Sequence, residues 1–347
     1  MSIGGRLRLL AGLIISVVLV ALLLQAMDLG KLAEAIAEVD IRLIPLAIAC
    51  NFVADWVRAV RWRQLLPPAS APTGSLFRAL IVGFTINNLL PARLGELARA
   101  YLLARWHGVA YGPTFASLVV ERILDGLALA ALLLVSLCFV SAPTYLLTLG
   151  LLVGGVFCGG AAIVMLAAWR RDGVAMVGRL VARLLPGRLA SVVERLVAGF
   201  SDGLDLLRGW GVLARLAGLS LVAWGCELAL FYVLMFGFPV PASMSLAILA
   251  GTTANFATLI PSSPGYVGTF DAALAKVLID VAGVSVELGT AYALVVHVTL
   301  FVPVVVLGAV IMWRADVSLG QVTRAGRQPR QGASRLDGSE RAIVSNG

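Results

Sequence analysis

Long apolar runs separated by short polar breaks fill almost the whole chain, and the runs are continuous instead of alternating. Lipid gives backbone N–H and C=O groups no water to bind, so only helices or a closed barrel can cross it, and continuous runs select helices. Full spans are predicted at Leu9–Met27, Ile41–Val60, Thr114–Ser141, Tyr145–Trp169, Val212–Phe238 and Leu288–Trp313. Two other apolar stretches stop at proline: Ser75–Leu90 before Pro91, and Ser243–Ile260 before Pro261. They resume as Leu94–Trp106 and Tyr266–Val281. At 1.5 Å per residue, Leu94–Trp106 reaches about 20 Å, too short for a hydrocarbon core of about 30 Å.

Composition agrees with this pattern. Hydrophobic residues are 60% of the 347 and charged residues 13%, and the mean hydropathy is +0.96. Soluble domains carry about 25% charged residues. The net charge of +8 comes from 25 Arg against two Lys, Lys31 and Lys276. These arginines sit at the ends of the apolar segments, where they set topology and touch anionic headgroups, so nucleic acid is not an expected partner. Cys50, Cys138, Cys158 and Cys226 lie in apolar segments without a CxxC and read as small core residues. With two histidines and no Walker A sequence, neither metal nor cofactor is expected, and the chain is not expected to be an enzyme.

Charge also sets the expected orientation. Arg61-Trp62-Arg63, Arg105-Trp106, Trp169-Arg170-Arg171 and Trp313-Arg314 each place an interfacial aromatic beside a positive charge, the mark of a cytoplasmic edge. The acidic loop 28–40 suits the outside. All four junctions share one face only if Ser75–Trp106 enters and leaves by the cytoplasmic side and Ser243–Val281 by the outer side; the second segment could equally be two short spans. The expected fold is therefore all-α and integral to the membrane, a polytopic bundle of about six full spans plus two re-entrant helical hairpins. Residues 1–313 form the transmembrane domain, with a cytoplasmic amphipathic segment at 170–211, and 314–347 a disordered cytoplasmic tail. Both termini are expected in the cytoplasm, and the cell (inner) membrane is the expected location.

The hairpins share a pattern. Gly83-x3-Asn87 precedes Pro91-x3-Gly95, and Gly251-x3-Asn255 precedes Pro261-x3-Gly265. Opposite orientation of two such Gly/Pro-interrupted units is the signature of an inverted repeat, and points to a transporter-type site. Ionisable residues at membrane depth are the candidates for function. Arg93, Glu96 and Arg99 follow the first tip along one helix face, with Glu96 able to pair with either arginine. They read as a phosphate or carboxylate receptor or as an ion-pair lock. Glu121, Arg122 and Asp125 form a second group, with Arg122 able to pair with Asp125, and Asp55 and Arg58 a third. Asp271 follows the second tip, where Asn255, Ser262, Ser263, Tyr266 and Thr269 add polar groups. Glu227 and His297 each sit inside a span, and a lone buried His is most simply a hydrogen-bonded structural group.

Those residues resemble the lysylphosphatidylglycerol synthase transmembrane-region family, the flippase-like domain proteins. The matching features are Arg58-x2-Arg61-Trp62-x2-Leu65-Leu66, Asn87-Asn88-Leu89-Leu90-Pro91-x-Arg93-x-Gly95-Glu96-x2-Arg99, Glu121-Arg122-x2-Asp125 and Pro261-x2-Pro264-Gly265-x2-Gly268, together with a final span carrying Pro303 and Gly308. The resemblance implies movement of lipids or lipid-linked molecules between leaflets. Two-domain members carry a soluble aminoacyl-transferase domain after the membrane part; 34 residues follow Trp313 here, so that activity is not carried over. The expected function is translocation of an anionic or zwitterionic lipid. Asn87, Arg93, Glu96, Arg99, Asn255, Ser262, Ser263 and Tyr266 would bind it, and Asp55, Arg58, Glu121, Arg122, Asp125 and Asp271 would serve as coupling or structural charges. The alternatives are a membrane-embedded transferase for a lipid-linked substrate, or a non-catalytic membrane partner of a glycosyltransferase or lipid-synthesis complex. Membrane lipids are the expected partners, with a second copy of the chain or lipid- and glycan-biosynthesis enzymes as further candidates.

Overall fold

The computed structural model describes residues 29–90, 94–169, 209–260, 263–315 and 317. The expected first span, the amphipathic segment and the tail lie outside these residues. Among the described residues there are ten α-helices and no strand. They are α1 (Leu29–Ala37), α2 (Ile44–Leu65), α3 (Thr73–Leu89), α4 (Gly95–His107), α5 (Tyr111–Ser136), α6 (Thr144–Trp169), α7 (Trp210–Met235), α8 (Met244–Ala257), α9 (Thr269–Ala282) and α10 (Val286–Arg314). The segments Ile41–Leu65, Thr144–Leu166, Trp210–Met235 and Val286–Arg314 are long and apolar enough to cross a membrane. Helix α5 has comparable length at 26 residues, about 39 Å, but carries Glu121, Arg122 and Asp125.

The apolar runs predict nine of these helices within a few residues. Two differences are informative. Helix α2 extends five residues beyond the expected Val60, because Arg61, Trp62 and Leu65 are buried instead of marking an interface. The acidic loop 28–40 contains helix α1, which turns Leu32 and Ala35 toward the core. Cys138 and Cys158 also depart from expectation, facing outward instead of into the core.

Helices α2 and α7 pack along each other at the centre. Arg61 meets Ser220, Arg58 meets Glu227, and the Asp40 N–H reaches the Gly237 carbonyl, so the two helices run antiparallel. One end of the bundle gathers Leu66, Ala71, Leu103, Val109, Leu118, Leu216 and Met312 into a single apolar cluster. Both ends of the α3–α4 hairpin therefore lie at that end, with the junctions around Trp62, Trp106 and Trp313 close by. Both ends of the α8–α9 hairpin, Val240 and Val284, join the other cluster with Val39 and Leu146. Each hairpin enters and leaves at one end of the bundle, and the two use opposite ends. The tips meet: a Cβ built on Gly265 would sit 3.6 Å from the Asn88 carbonyl oxygen. Pro91 and Pro261, the breaks in the two interrupted stretches, lie outside the described residues.

The helix contacts have a regularity of their own. Helix α3 packs on α10 as α8 packs on α5; α4 packs on α5 as α9 on α10; α1 packs on α10 as α6 on α5. The α2–α3, α2–α5 and α2–α10 contacts are matched by α7–α8, α7–α10 and α7–α5.

Glycine makes the first hairpin possible. A Cβ on Gly95 would lie 2.0 Å from the Gly83 carbonyl oxygen, and one on Gly83 would lie 2.7 Å from the Arg99 side chain. These are the two glycines of the first shared pattern, so their spacing serves a backbone-to-backbone approach. Gly95→Ala should lower the thermal unfolding temperature in detergent, at a cost of about 1–3 kcal/mol for overpacking. An unchanged melting curve would show that the tip can spread.

Candidate functional site

A cavity of about 420 Å³ lies where the two hairpin tips meet the α2–α7 pair. From the first hairpin it is lined by Phe84, Asn87, Asn88 and Glu96; from the second, by Asn255, Phe256, Thr258, Leu259 and Tyr266. Helices α2 and α7 add Asn51, Asp55, Arg58, Trp224 and Glu227, and α5 adds Arg122, Asp125, Gly126 and Leu129. Leu300, Phe301 and Val304 of α10 and Phe157 of α6 complete an apolar wall.

Local structure fixes the tip residues. Asn87 Oδ1 accepts the Gly95 N–H at 2.7 Å, holding the start of α4 against the end of α3, and Asn87 Nδ2 lies 3.5 Å from both Glu96 oxygens. Asn255 donates to the Gly251 carbonyl at 2.9 Å and to Glu227 Oε1 at 3.3 Å, tying the second tip to α7. The two asparagines thus occupy matching positions on the two tips. Tyr266 has φ +61°, a left-handed conformation uncommon for an aromatic residue, and this turns it into the cavity.

Behind the tips lies a network of buried ion pairs. Arg58 is shared between Asp55 at 3.1 Å and Glu227 at 2.5 Å, with its guanidinium 4.6 Å from the Trp224 ring centre. Arg61, fully buried, donates to Asp125 at 2.6 Å and Ser220 at 2.7 Å; the Trp224 indole N–H also donates to Asp125, at 3.1 Å. Arg99 forks onto both oxygens of Glu121 at 2.7 and 2.8 Å and stacks 4.0 Å from the Trp62 ring centre. Arg122 reaches Glu121 at 3.2 Å with its side chain 42% exposed. Four arginines and four acids from α2, α4, α5 and α7 thus form three clusters, Asp55–Arg58–Glu227, Arg61–Asp125 and Arg99–Glu121–Arg122. Such pairing is needed because an unpaired charge in low dielectric is costly.

Several sequence expectations are revised by this geometry. The expected Glu96–Arg99 pairing gives way to Arg99–Glu121, since the fork needs a carboxylate square to it and α5 provides one. Arg99 belongs to the network behind the cavity, while Glu96 lines the cavity itself. Arg122 and Asp125 do not pair with each other; Asp125 turns to Arg61 and Trp224. Asp271 does not line the cavity: its carboxylate holds His297 at 2.7 Å and accepts the Gly268 N–H at 2.9 Å, capping α9. His297 is hydrogen-bonded, as expected for a structural group. Ser263 donates to the Val267 carbonyl at 3.2 Å, within its own turn. Arg93 and Ser262 lie outside the described residues. Asp55, Arg58, Asn87, Glu96, Arg122, Asp125, Asn255 and Tyr266 are brought together. Asn51, Asn88 and Trp224 join them without having been assigned to the site, as does Glu227, noted in the sequence only as an acid inside a span and the one acid in its apolar 26-residue helix.

The model of the family described as Lysylphosphatidylglycerol synthase TM region matches residues 9–308. Glycosyltransferase AglD of Haloferax volcanii is 27% identical over 349 residues, covering 91% of this chain; the chain spans 56% of that protein's length. A UPF0104 membrane protein of Methanothermobacter thermautotrophicus is 24% identical over 306 residues, covering 85% of this chain and 90% of its own. UPF0104 membrane protein MJ1595 of Methanocaldococcus jannaschii is 27% identical over 117 residues, covering 33% of this chain and 35% of its own. No solved structure matches.

The buried Arg99–Glu121 pair is open to a double-mutant cycle. Glu121→Leu should cost about 3–5 kcal/mol, because it strands Arg99, and Arg99→Met should cost less, because Arg122 still reaches Glu121. The double variant should recover most of that loss. Additive losses in thermal unfolding would show that the pair is not a unit.

Proposed function

The chain belongs to the lysylphosphatidylglycerol synthase transmembrane-region family, and on that footing we propose that it moves an anionic or zwitterionic lipid, or a lipid-linked molecule, between the leaflets of a bilayer. The observation that carries this reading is the polar cavity walled by both hairpin tips. A headgroup crosses a bilayer slowly because hydrocarbon offers it no polar partners. A cavity of about 420 Å³ lined by asparagine, carboxylate and arginine side chains can supply those partners to a headgroup. The tails would stay in lipid beside the exposed apolar faces, such as that of α6 with Leu151, Leu152, Val156 and Ile163.

The matched helix contacts and the antiparallel α2–α7 pair support an inverted repeat of residues 29–136 with 144–314. Arg58 and Glu227 then hold related positions, 29 and 28 residues before their hairpin asparagines, and their bond joins the halves. Hairpins opening at opposite ends suit alternating access to a central site. The arginine-rich end is assigned to the cytoplasm of the inner membrane by the positive-inside bias, with both termini on that side. Within the site, Arg122, Asn87, Glu96, Asn255 and Tyr266 are the residues assigned to the headgroup.

A second reading rests on the likeness to a protein named as a glycosyltransferase of which this chain spans only part. In it the membrane domain holds the lipid-linked substrate of a transferase, or anchors one. Reconstitution into liposomes with labelled lipids separates the two. The translocase reading expects inner-leaflet label to reach an impermeant quencher at least about tenfold faster than in protein-free liposomes, and Glu227→Gln to remove most of that gain, a tenfold change being about 1.4 kcal/mol. Unchanged exchange together with a chemically modified lipid would favour the transferase.

A further inference from the structure

Among the buried acids, three are closely held. Glu121 engages arginine through both oxygens, Asp271 holds His297 on one oxygen and the Gly268 N–H on the other, and Asp125 takes two donors, Arg61 and Trp224, on Oδ1. Asp55 is different. Its Oδ1 accepts from Arg58 at 3.1 Å, whereas its Oδ2 is buried with no hydrogen-bond partner among the described residues. The residue is 2% exposed and lines the cavity. Its arginine is also shared, because the other Arg58 nitrogen binds Glu227. Two carboxylates on one guanidinium leave a net charge of −1 in a group whose side chains are at most 8% exposed.

We propose that Asp55 Oδ2 is a proton-binding site, and that loading it couples proton movement to lipid movement; the coupling rests on the translocase reading above, the binding does not. The proton adds to Oδ2, takes the Asp55–Arg58–Glu227 group from −1 to neutral and leaves Glu227 as the one carboxylate on Arg58, while Asp55 Oδ1 still accepts the Arg58 N–H. Glu227 Oε1 accepts from Asn255 on the second hairpin tip, so the change in charge is felt where that tip is held. The surrounding charges do not remove the surplus. Helix α5 contributes Asp125, already balanced by Arg61, and Arg122, which is open to the cavity and screened there. Helix α4 contributes Arg99, forked on Glu121, and Glu96, a further negative charge on the cavity wall. Helix α10 presents only apolar side chains and the Leu300 carbonyl, which Asn51 holds. A lone carboxylate oxygen suits a proton, whereas Ca²⁺ or Mg²⁺ takes about six or more oxygens.

Infrared difference spectroscopy of the purified protein, titrated from about pH 5 to 9, reads the site without any transport, since buried carboxyls can titrate in that range. The wild type should show a protonated-carboxyl band with a single-proton titration. Asp55→Asn, whose amide oxygen still accepts from Arg58, should lack it, and Asp55→Glu should keep it at a shifted midpoint. A band that survives in Asp55→Asn, a midpoint unmoved in Asp55→Glu, or no titrating band in the wild type overturns the site. In liposomes a gradient of one pH unit should drive the leaflet ratio of labelled lipid up to about tenfold from equality for one coupled proton. Asp55→Asn should leave the ratio equal. Equal leaflets in an exchanging wild type overturn the coupling, and absent exchange overturns the translocase reading while the infrared result stands by itself.

Discussion

Every arginine buried in this bundle must find its acid, because lipid offers no other compensation. Arg58, Arg61 and Arg99 are nearly or wholly buried, and their partners come from other helices: Glu227 on α7, Asp125 and Glu121 on α5. This requirement decides which helices touch. It draws α2 against α7 over most of their length and presses α5 against the α4 arm of the first hairpin. Unlike apolar side chains, which pack as readily on lipid as on protein, these pairs specify one neighbour. The cavity follows from the same constraint. Two helices too short to span can end at membrane depth only where protein or a polar chamber receives their broken backbone. The tips therefore close against the ion-pair network, and the space between them is lined by its outer members.

Much of the architecture was legible in the sequence because apolar runs and proline breaks report helices directly. The expected hairpin shape agrees with the packing, since Ala71 and Val109 share one end of the bundle, although Arg61 and Trp62, one of the junctions it was read from, are buried. Pairing between distant segments was not legible. Glu96 sits one turn from Arg99, so local spacing favoured that bond, but the guanidinium fork found a better-aligned carboxylate on Glu121. Asp271, expected as a coupling or structural charge, sits three positions into a helix, where it is well placed to cap it, and it does. Glu227 was visible as an isolated acid, but its importance comes from a partner 169 positions away, which no local pattern reveals.

The glycines of the shared pattern connect these levels. Gly83 and Gly95 let the two arms of the first hairpin touch backbone to backbone, which places Asn87 on the start of α4 and brings Glu96 into the chamber. Asn255 does the corresponding work on the second tip by bonding to Glu227. A small change at one tip is thus mechanically linked to the central pair of helices, as the proposed alternating access requires.

The proposed function requires a lipid headgroup to enter the chamber between the tips. It is tested most directly by photo-cross-linking in a bilayer with a lipid that carries its reactive group on the headgroup. Adducts are expected on peptides containing residues 84–96 and 255–266, reduced by excess unlabelled lipid. Adducts confined to the outer face of α6 and the helix ends, with the tips unlabelled, would contradict it.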